Sequence, residues 1–419
     1  MIVPAQPAGT SFPAAATTVV CMPARARSGA LDGLRGLAAT AVVLLHTWMF
    51  DHGDEGRPSK TGLDVFMGEL RLGVTLFFVL SGFLLVRPWV RSRLEGSSRP
   101  PLGPYLRRRA ARVLPAYYLA LVGVHLLLSS VGHPNRGELH QLPYFALFLQ
   151  NQFQDTAGVL DPPMWTLAIE VSFYLLVPVL GWLALRQDGP RGRGGLLVGC
   201  GALAAAGVGL TGLADAHSWS RTATTSLPFY LPIFAAGVAA AVIMYDRTLT
   251  RAQGVAALVT GLSLVLCNGL WHVGVIGLPG RHLLLDLPAG VGFALLVAAV
   301  VGRPGMVPGL TSRPVVAVGT VSYGIYLWHF PIIQWLRATQ HMPDDLLSAC
   351  ALTMTLSVVA GTASHLALER PVLRRVAGPR EPRPSAGTSA AVDLQVPDPA
   401  GPGPAIGSGS PAFAAGVGG

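Results

Sequence analysis

The chain has 419 residues, of which 51% are hydrophobic and only 12% are charged, whereas an average soluble domain carries about 25% charged residues. With a mean hydropathy of +0.50, this composition excludes both an ordinary soluble enzyme and an intrinsically disordered protein. A formal net charge of +9 favours a nucleic-acid partner only if it is not explained by membrane topology. The distribution of basic residues given below supplies that explanation, so no nucleic-acid partner is expected.

Apolar residues gather into blocks of about 20, the length that crosses the core of a bilayer as an α-helix. The sequence therefore predicts an all-α, polytopic, multi-pass protein of the cell membrane with about ten transmembrane helices. The predicted spans cover residues 31–50, 73–91, 107–130, 165–185, 194–214, 226–245, 252–270, 283–301, 315–336 and 346–368. A weaker apolar stretch over 142–150 is too short to span and predicts an interfacial or re-entrant helix.

The spans define one transmembrane domain over residues 29–377. Residues 1–28 are rich in Ala, Pro and Thr and lack the features of a signal peptide, so we expect a disordered cytoplasmic leader in which Met22 is a second candidate initiator. Residues 378–419 are rich in Pro, Gly, Ala and Ser without periodicity, which predicts a disordered cytoplasmic tail.

Lys and Arg are unevenly shared between the two sides of the predicted spans. If the N-terminus is cytoplasmic, 23 of the 30 Lys and Arg residues fall in cytoplasmic segments. Because cytoplasmic loops are enriched in these residues, both termini are predicted to be cytoplasmic. The four cysteines form no CxxC pair, so no metal site is predicted.

The first span contains two ionisable residues, which are costly in a membrane and are therefore functional candidates. Arg35 and His46 are 11 residues apart, so they share one helix face and lie about 16 Å apart along its axis. His46 would lie deep in the membrane. It is either a catalytic group or a core histidine hydrogen-bonded to a neighbouring helix.

A group of arginines lies between the second and third spans, in the sequence PYLRRRAARVLP. Arg109 and Arg112 share a helix face, and Arg108 lies one turn before Arg112. Guanidinium groups bind phosphate oxygens bidentately, which makes the three residues candidates for binding a phosphate-rich ligand. The alternative is that they serve only membrane orientation and lipid headgroups.

The span over 165–185 begins WTLAIE. Trp165 opens it, and Glu170 is predicted to lie one to two turns from the outer surface, where a carboxylate needs a partner. Trp165 is a candidate for lining a substrate pocket, and Glu170 is a candidate catalytic residue.

The span over 315–336 carries a polar stripe in the sequence SYGIYLWHFP. Tyr323, Tyr326 and His329 follow one another at i, i+3 steps, and His329 is predicted to lie in the outer half of the membrane. All three are candidate pocket residues, and His329 is predicted to approach His46 and Glu170. The alternative for the two tyrosines is anchoring at the membrane surface.

Three further features concern packing and helix ends. Ser81 and Gly82, in LFFVLSGF, are small enough for close helix approach. Pro371, in LERPVLRR, predicts the end of the last helix. Asp286 lies in the span over 283–301 and has no partner that the sequence identifies.

These motifs together resemble the acyltransferase 3 family of integral membrane O-acyltransferases. The matching blocks run in order: Arg35 with His46, LFFVLSGF, the RxxR pattern of Arg109 and Arg112, WTLAIE, SYGIYLWHFP and ERP. The resemblance implies transfer of an acyl group, often acetyl, from a cytoplasmic acyl-CoA donor to a hydroxyl of a sugar, glycan or macrolide-like natural product. Acyl-CoA is then a co-substrate, and no cofactor is expected.

The resemblance also implies roles for the candidate residues. Arg35 and His46 match the family's signature pair, and Arg109 and Arg112 match its second arginine motif. We expect His46 to act as general base, oriented by Glu170 or Tyr326. No serine lies in a nucleophile elbow, which favours direct transfer over a covalent enzyme ester.

Some family members carry an additional extracytoplasmic esterase-like domain at the C-terminal side. Here 42 residues follow the core, so we expect acylation to finish in the membrane domain or with a separate partner. The alternative function is a transporter or flippase, in which buried His and Arg residues relay protons or bind an anion. A non-catalytic partner in an envelope assembly is a third hypothesis.

Overall fold

The computed structural model describes residues 24–52, 62–185, 192–284 and 286–377. Within these ranges the chain is all-helical. The helices are α1 (Ala24–His52), α2 (Gly62–Glu69), α3 (Leu72–Leu85), α4 (Arg87–Glu95), α5 (Leu102–Ser130), α6 (Leu142–Ala146), α7 (Trp165–Leu185), α8 (Arg193–Ala216), α9 (Arg221–Thr224), α10 (Leu227–Ile243), α11 (Arg251–His272), α12 (Arg281–Leu284), α13 (Leu287–Gly302), α14 (Arg313–Thr320), α15 (Ser322–Ala338), α16 (Leu346–Ser364) and α17 (Arg370–Ala377). A 3-10 turn (Pro162–Met164) precedes α7, and a π-turn (His365–Glu369) joins α16 to α17.

Eight helical segments of the described residues are long and apolar enough to cross a membrane, and the bent pair α14–α15 would be a ninth. The apolar helix α13 is shorter, at 16 residues. Each predicted span overlaps one of these segments, which confirms the all-α polytopic architecture. The cytoplasmic location of the termini stays a prediction, and the predicted tail lies outside the described residues.

The predicted leader extended to residue 28, whereas α1 already begins at Ala24. Ala and Arg are both good helix formers, so the segment before the span continues the helix. The short helix expected over 142–150 is present as α6, five residues long. Phe145 in α6 is buried, and its carbonyl accepts a hydrogen bond of 2.7 Å from the Tyr117 hydroxyl of α5.

The bundle has two ends, and one of them, the basic end, carries the arginines of α4 and of the start of α5. At the basic end, α4 approaches the α10–α11 connection, and the Tyr245 hydroxyl donates to the Glu95 carboxylate. At the opposite end, the His272 ring contacts the Glu69 carboxylate at 2.5 Å, and Arg337 donates to the carbonyl of Phe50.

Helix α3 lies at the centre of the bundle, and most of its residues are buried. It packs against α1, α7, α10 and α13. The predicted close approach occurs at Gly82, where an added Cβ would lie 2.3 Å from the carbonyl oxygen of Phe234 in α10. A larger residue would therefore push two central helices apart.

We expect Gly82→Ala to destabilise the protein by about 1–3 kcal/mol, the usual range for overpacking a tight core. The matched control is Gly201→Ala in α8, where an added Cβ meets no atom within 4 Å and alanine favours the helix. Thermal unfolding of both variants in detergent tests this: the midpoint should fall for the first and stay level or rise for the second. An equal midpoint for both would contradict the tight packing of α3 on α10.

Two helix ends differ from the sequence-based expectation. The span predicted over 315–336 bends by 71° between α14 and α15, since the backbone at Val321 leaves helical geometry with φ −99° and ψ 7°. Pro371 does not end the last helix. It lies in the first turn of α17, directly after the π-turn, and proline is tolerated in a first turn because that N–H has no helical partner.

Asp286, for which the sequence identified no partner, has partners on other segments of the structure. Both of its oxygens lie 2.7 Å from Arg71 Nη1, and Asn268 Nδ2 donates to it at 3.1 Å. Arg71 also contacts Glu69 at 3.2 Å. The network ties the start of α3 to α11 and α13 at the opposite end of the bundle.

Candidate active site

The two histidines singled out in the sequence meet inside the bundle. His46 of α1 and His329 of α15 are 283 residues apart in sequence, and His46 Nδ1 lies 3.0 Å from His329 Nε2. Their ring centroids are 5.1 Å apart, and Phe330 packs edge-on against the His46 ring. The hydrogen bond to a neighbouring helix that a core histidine requires is thus present, and its partner is a second imidazole.

The surrounding hydrogen bonds fix which ring nitrogens carry protons. His329 Nδ1 lies 2.7 Å from the backbone carbonyl of Tyr326, and a carbonyl oxygen only accepts, so this nitrogen is protonated. In the neutral ring His329 Nε2 is then an acceptor, and His46 Nδ1 must donate to it. His46 Nε2 is left with its lone pair, which is the arrangement that a general base requires.

His46 lines a large cavity at the opposite end of the bundle, with a volume of about 890 Å³. Its other walls come from the segment before α7, from α8 to α10, and from Phe330. Trp165, the predicted pocket residue at the start of α7, lines this cavity, and its ring packs at a tilt against that of Tyr230, with ring centroids 5.4 Å apart. A volume of this size accommodates a ligand of several hundred daltons.

Arg35, Glu170 and Arg112 line a second, smaller cavity of about 60 Å³ on the basic side of His46. The Ser81 hydroxyl donates to Glu170 Oε1, so a residue assigned only to helix packing also holds the carboxylate. Tyr174 completes this wall. Glu170 therefore belongs with the two arginines, while His46 has His329 as its hydrogen-bond partner.

The two remaining predicted pocket residues line the small cavity as well. Tyr323 donates to the carbonyl of Val113 at 3.1 Å, and Tyr326 donates to the carbonyl of Pro163 at 2.7 Å. Both hydroxyls thus bond to groups of neighbouring segments within the bundle. His329 lies behind His46, fully buried.

A short hydrogen-bonded network separates the two cavities. The Thr166 and Tyr326 hydroxyls lie 2.6 Å apart, and because Tyr326 donates to Pro163, Thr166 donates to Tyr326. Thr166 and Tyr326 face the small cavity, whereas Pro163 and Trp165 face the large one. These side chains form the wall between the two cavities.

The three arginines predicted to bind phosphate are not equivalent. Arg112 lines the small cavity. Arg109 lies over the ring of Tyr105, 5.8 Å from its centroid, and its Nε is buried without a hydrogen-bond partner. Arg108 is exposed. Arg109 and Arg112 are therefore the members of this group that face the interior.

The segment before α7 contributes polar groups to the large cavity that sequence reasoning missed. Asp161 is 1% exposed, and Gln150 is 3% exposed. Both line the cavity that contains His46. They lie in an irregular segment without hydrophobic periodicity. The one sequence signal for this part of the site is Asp161 itself, an acidic residue directly before an apolar span.

The chain is similar in sequence to known acyltransferases. A family model described as an acyltransferase domain matches residues 28–363. Peptidoglycan O-acetyltransferase OatA of Listeria monocytogenes is 25% identical over 370 residues, which cover 82% of this chain and 55% of OatA. The chain spans about half the length of the peptidoglycan O-acetyltransferases that it matches.

Two further relatives are matched over almost their whole length. The exopolysaccharide production protein ExoZ of Rhizobium meliloti is 30% identical over 334 residues, which cover 75% of this chain and 93% of ExoZ. Acyltransferase MdmB of Streptomyces mycarofaciens is 26% identical over 396 residues, which cover 86% of this chain and 95% of MdmB. No solved structure matches the chain.

Proposed function

The chain belongs to the acyltransferase 3 family, and from this premise we propose that it is a membrane-bound O-acyltransferase. It transfers an acyl group, in the first instance acetyl, from acyl-CoA to a hydroxyl of a carbohydrate or a glycosylated natural product. The observation that carries the proposal is the His46–His329 pair, which leaves the lone pair of His46 Nε2 available beside a cavity of about 890 Å³.

In the proposed reaction His46 Nε2 removes the proton from the acceptor hydroxyl as its oxygen attacks the thioester carbonyl carbon. The tetrahedral intermediate then collapses, the carbon–sulfur bond breaks, and the proton on His46 passes to the departing thiolate. The products are the acyl ester and free CoA. The Nδ1–H bond to His329 is kept throughout, so the imidazolium stays in one orientation.

The donor is proposed to enter from the basic end, which would face the cytoplasm. Its phosphates would bind Arg109 and Arg112, whose planar guanidinium groups suit phosphate oxygens. Arg35 and Glu170 lie further along the path, in the small cavity. The thioester would reach His46 past the wall that Thr166 and Tyr326 form, with Tyr326 moving to admit it.

A transporter or flippase is the competing function. A buried histidine pair also suits proton relay, but a relay needs no large cavity beside an unprotonated nitrogen. Acyl-CoA turnover separates the two functions, because a transporter moves its substrate without forming a new ester.

The test is transfer from radiolabelled acetyl-CoA by the purified protein in detergent, with N-acetylglucosamine oligomers, a polysaccharide and a sugar-bearing macrolide as acceptors. We expect Arg112→Gln to raise the KM for acetyl-CoA about 10- to 100-fold, as expected for losing a charged hydrogen bond. The matched control is Arg108→Gln, one turn away and exposed, which should change KM less than threefold.

Equal effects of the two arginine variants would show that only the general positive charge matters and would overturn the Arg112 assignment. Absence of labelled ester with every acceptor, together with substrate flux in proteoliposomes, would favour the transporter.

A further inference from the structure

Asp161 is a buried carboxyl group without a hydrogen-bond donor. Neither Oδ1 nor Oδ2 has a partner among the described residues, although both are inaccessible to solvent. The side chain does not cap the 3-10 turn that it precedes. Burying a carboxyl group without donors is costly, so such groups in folded proteins call for an explanation.

A second acceptor atom without a donor lies in the same cavity. The amide of Gln150 donates from Nε2 to the carbonyl of Met164 at 3.0 Å, which leaves Oε1 buried and without a partner. Gln150 and Asp161 both line the cavity that His46 lines, and together they carry three buried acceptor oxygens without a donor among the described residues. Such a set matches a ligand with several hydrogen-bond donors.

The backbone holds this group in place at a conformational cost. Leu160, directly before Asp161, has φ +63°, a conformation that bulky residues rarely adopt. It is kept there by complete burial and by its N–H, which donates to the carbonyl of Asn135 at 2.9 Å. Strained residues of this kind cluster at ligand-binding sites.

The segment is also hydrogen-bonded to α15, the helix that carries His329. Tyr326, whose carbonyl orients His329, donates from its hydroxyl to Pro163. Asp161 therefore lies two residues before Pro163, whose carbonyl is bonded to α15, the helix that carries His329. Burial raises the pKa of the Asp161 carboxyl well above its usual range, and hydrogen bonds donated by a ligand would lower this pKa again by stabilising the ionised form.

We propose that Asp161 and Gln150 form the subsite that binds the acceptor through the hydroxyl groups next to the one that is acylated. The inference rests on the proposed function. Two neighbouring hydroxyls of a sugar ring donate to the three oxygens, and the adjacent hydroxyl is thereby directed to His46 Nε2. Asp161 is thus a specificity-determining residue, and the acceptor class is a polyhydroxylated sugar ring.

The first experiment measures the binding of methyl β-D-glucopyranoside, of its monodeoxy analogues and of N-acetylglucosamine. Tryptophan fluorescence reports the binding, since Trp165 and Trp219 line the same cavity. Asp161→Asn keeps the shape but replaces one acceptor by a donor, and should weaken binding of the parent sugars about 10- to 100-fold. Asp155→Asn, at an exposed acid of the same segment that does not line the cavity, should change affinity less than threefold.

The deoxy analogues identify the hydroxyls involved. In the wild type, loss of a hydroxyl that binds Asp161 should weaken binding about tenfold. In Asp161→Asn the same deoxygenation should have little further effect, because the interaction is already lost. Equal losses in both proteins would overturn the assignment.

Stability separates a binding role from a structural one. If Asp161 serves the acceptor, Asp161→Asn and Asp161→Leu should leave the thermal midpoint of the unliganded protein unchanged or raise it, as when a costly functional group is removed. A lower midpoint with unchanged sugar affinity would show that Asp161 is structural and would overturn the inference. Sugar binding that depends on Asp161 without any acyl transfer would overturn the proposed function but not this subsite.

Discussion

Replacing His46 by glutamine should lower the rate of acyl transfer by about 10²–10⁴-fold, the usual contribution of a general base. Glutamine has a similar reach and its amide N–H can still donate to His329, but it cannot take up a proton. The loss should therefore appear in kcat, with the KM values for acetyl-CoA and for the acceptor nearly unchanged. Label released into an acceptor ester, measured at saturating substrate, gives this rate directly.

The control for this variant is His140→Gln. His140 is an exposed histidine, with 67% of its side chain accessible, and its Nδ1 lies 3.2 Å from the Glu138 carboxylate. Its replacement should leave both kcat and the thermal midpoint unchanged. Wild-type activity in His46→Gln would contradict the base assignment. An equal loss in both variants would show that the assay responds to the fold and not to the chemistry.

Much of the fold could be predicted because each transmembrane helix corresponds to a continuous run of apolar residues in the sequence. The spans and the faces of single helices follow from composition and from the 3.6-residue repeat. Arg35 and His46, for example, both lie on α1 within the first predicted span, and each lines a cavity, Arg35 the small one and His46 the large one. Local patterns also placed Tyr323, Tyr326 and His329 on one helix.

Contacts between helices were harder to predict, since one sequence does not tell which helices are neighbours. Counting residues from the membrane surface predicted that Glu170 lies at about the same depth as His46. The structure instead gives Glu170 a hydrogen bond from Ser81 and a place beside Arg35. An error of one helical turn, about 5 Å, is enough to move a side chain from one cavity to the other.

Irregular segments were the least predictable part of the site. Asp161 and Gln150 lie between α6 and α7, where no periodic pattern identifies the buried face. Asp286 was within a predicted span, but its partner Arg71 is 215 residues away in sequence. Both features depend on tertiary contacts, which composition and spacing do not encode.

Replacing His329 by leucine should lower kcat by about 10²-fold or more, although His329 itself touches no substrate. Leucine removes the side-chain acceptor of His46 Nδ1–H and leaves the backbone contact with Val42, so the His46 ring is held less firmly and can take the tautomer with the proton on Nε2. Loss of the group that fixes the tautomer of a catalytic histidine costs on the order of 10⁴-fold in serine proteases. The KM values should change little, because His329 lines neither cavity.

Two further variants distinguish positioning from a merely structural role. His329→Gln offers a side-chain oxygen to His46 Nδ1–H and should recover part of the activity that His329→Leu loses, at a similar thermal midpoint. The double variant His46→Gln with His329→Leu should be no slower than His46→Gln alone, because residues that act as one unit are not additive. If the two losses multiply instead, His329 acts independently of His46, and the hydrogen bond between the rings is not what activates the base.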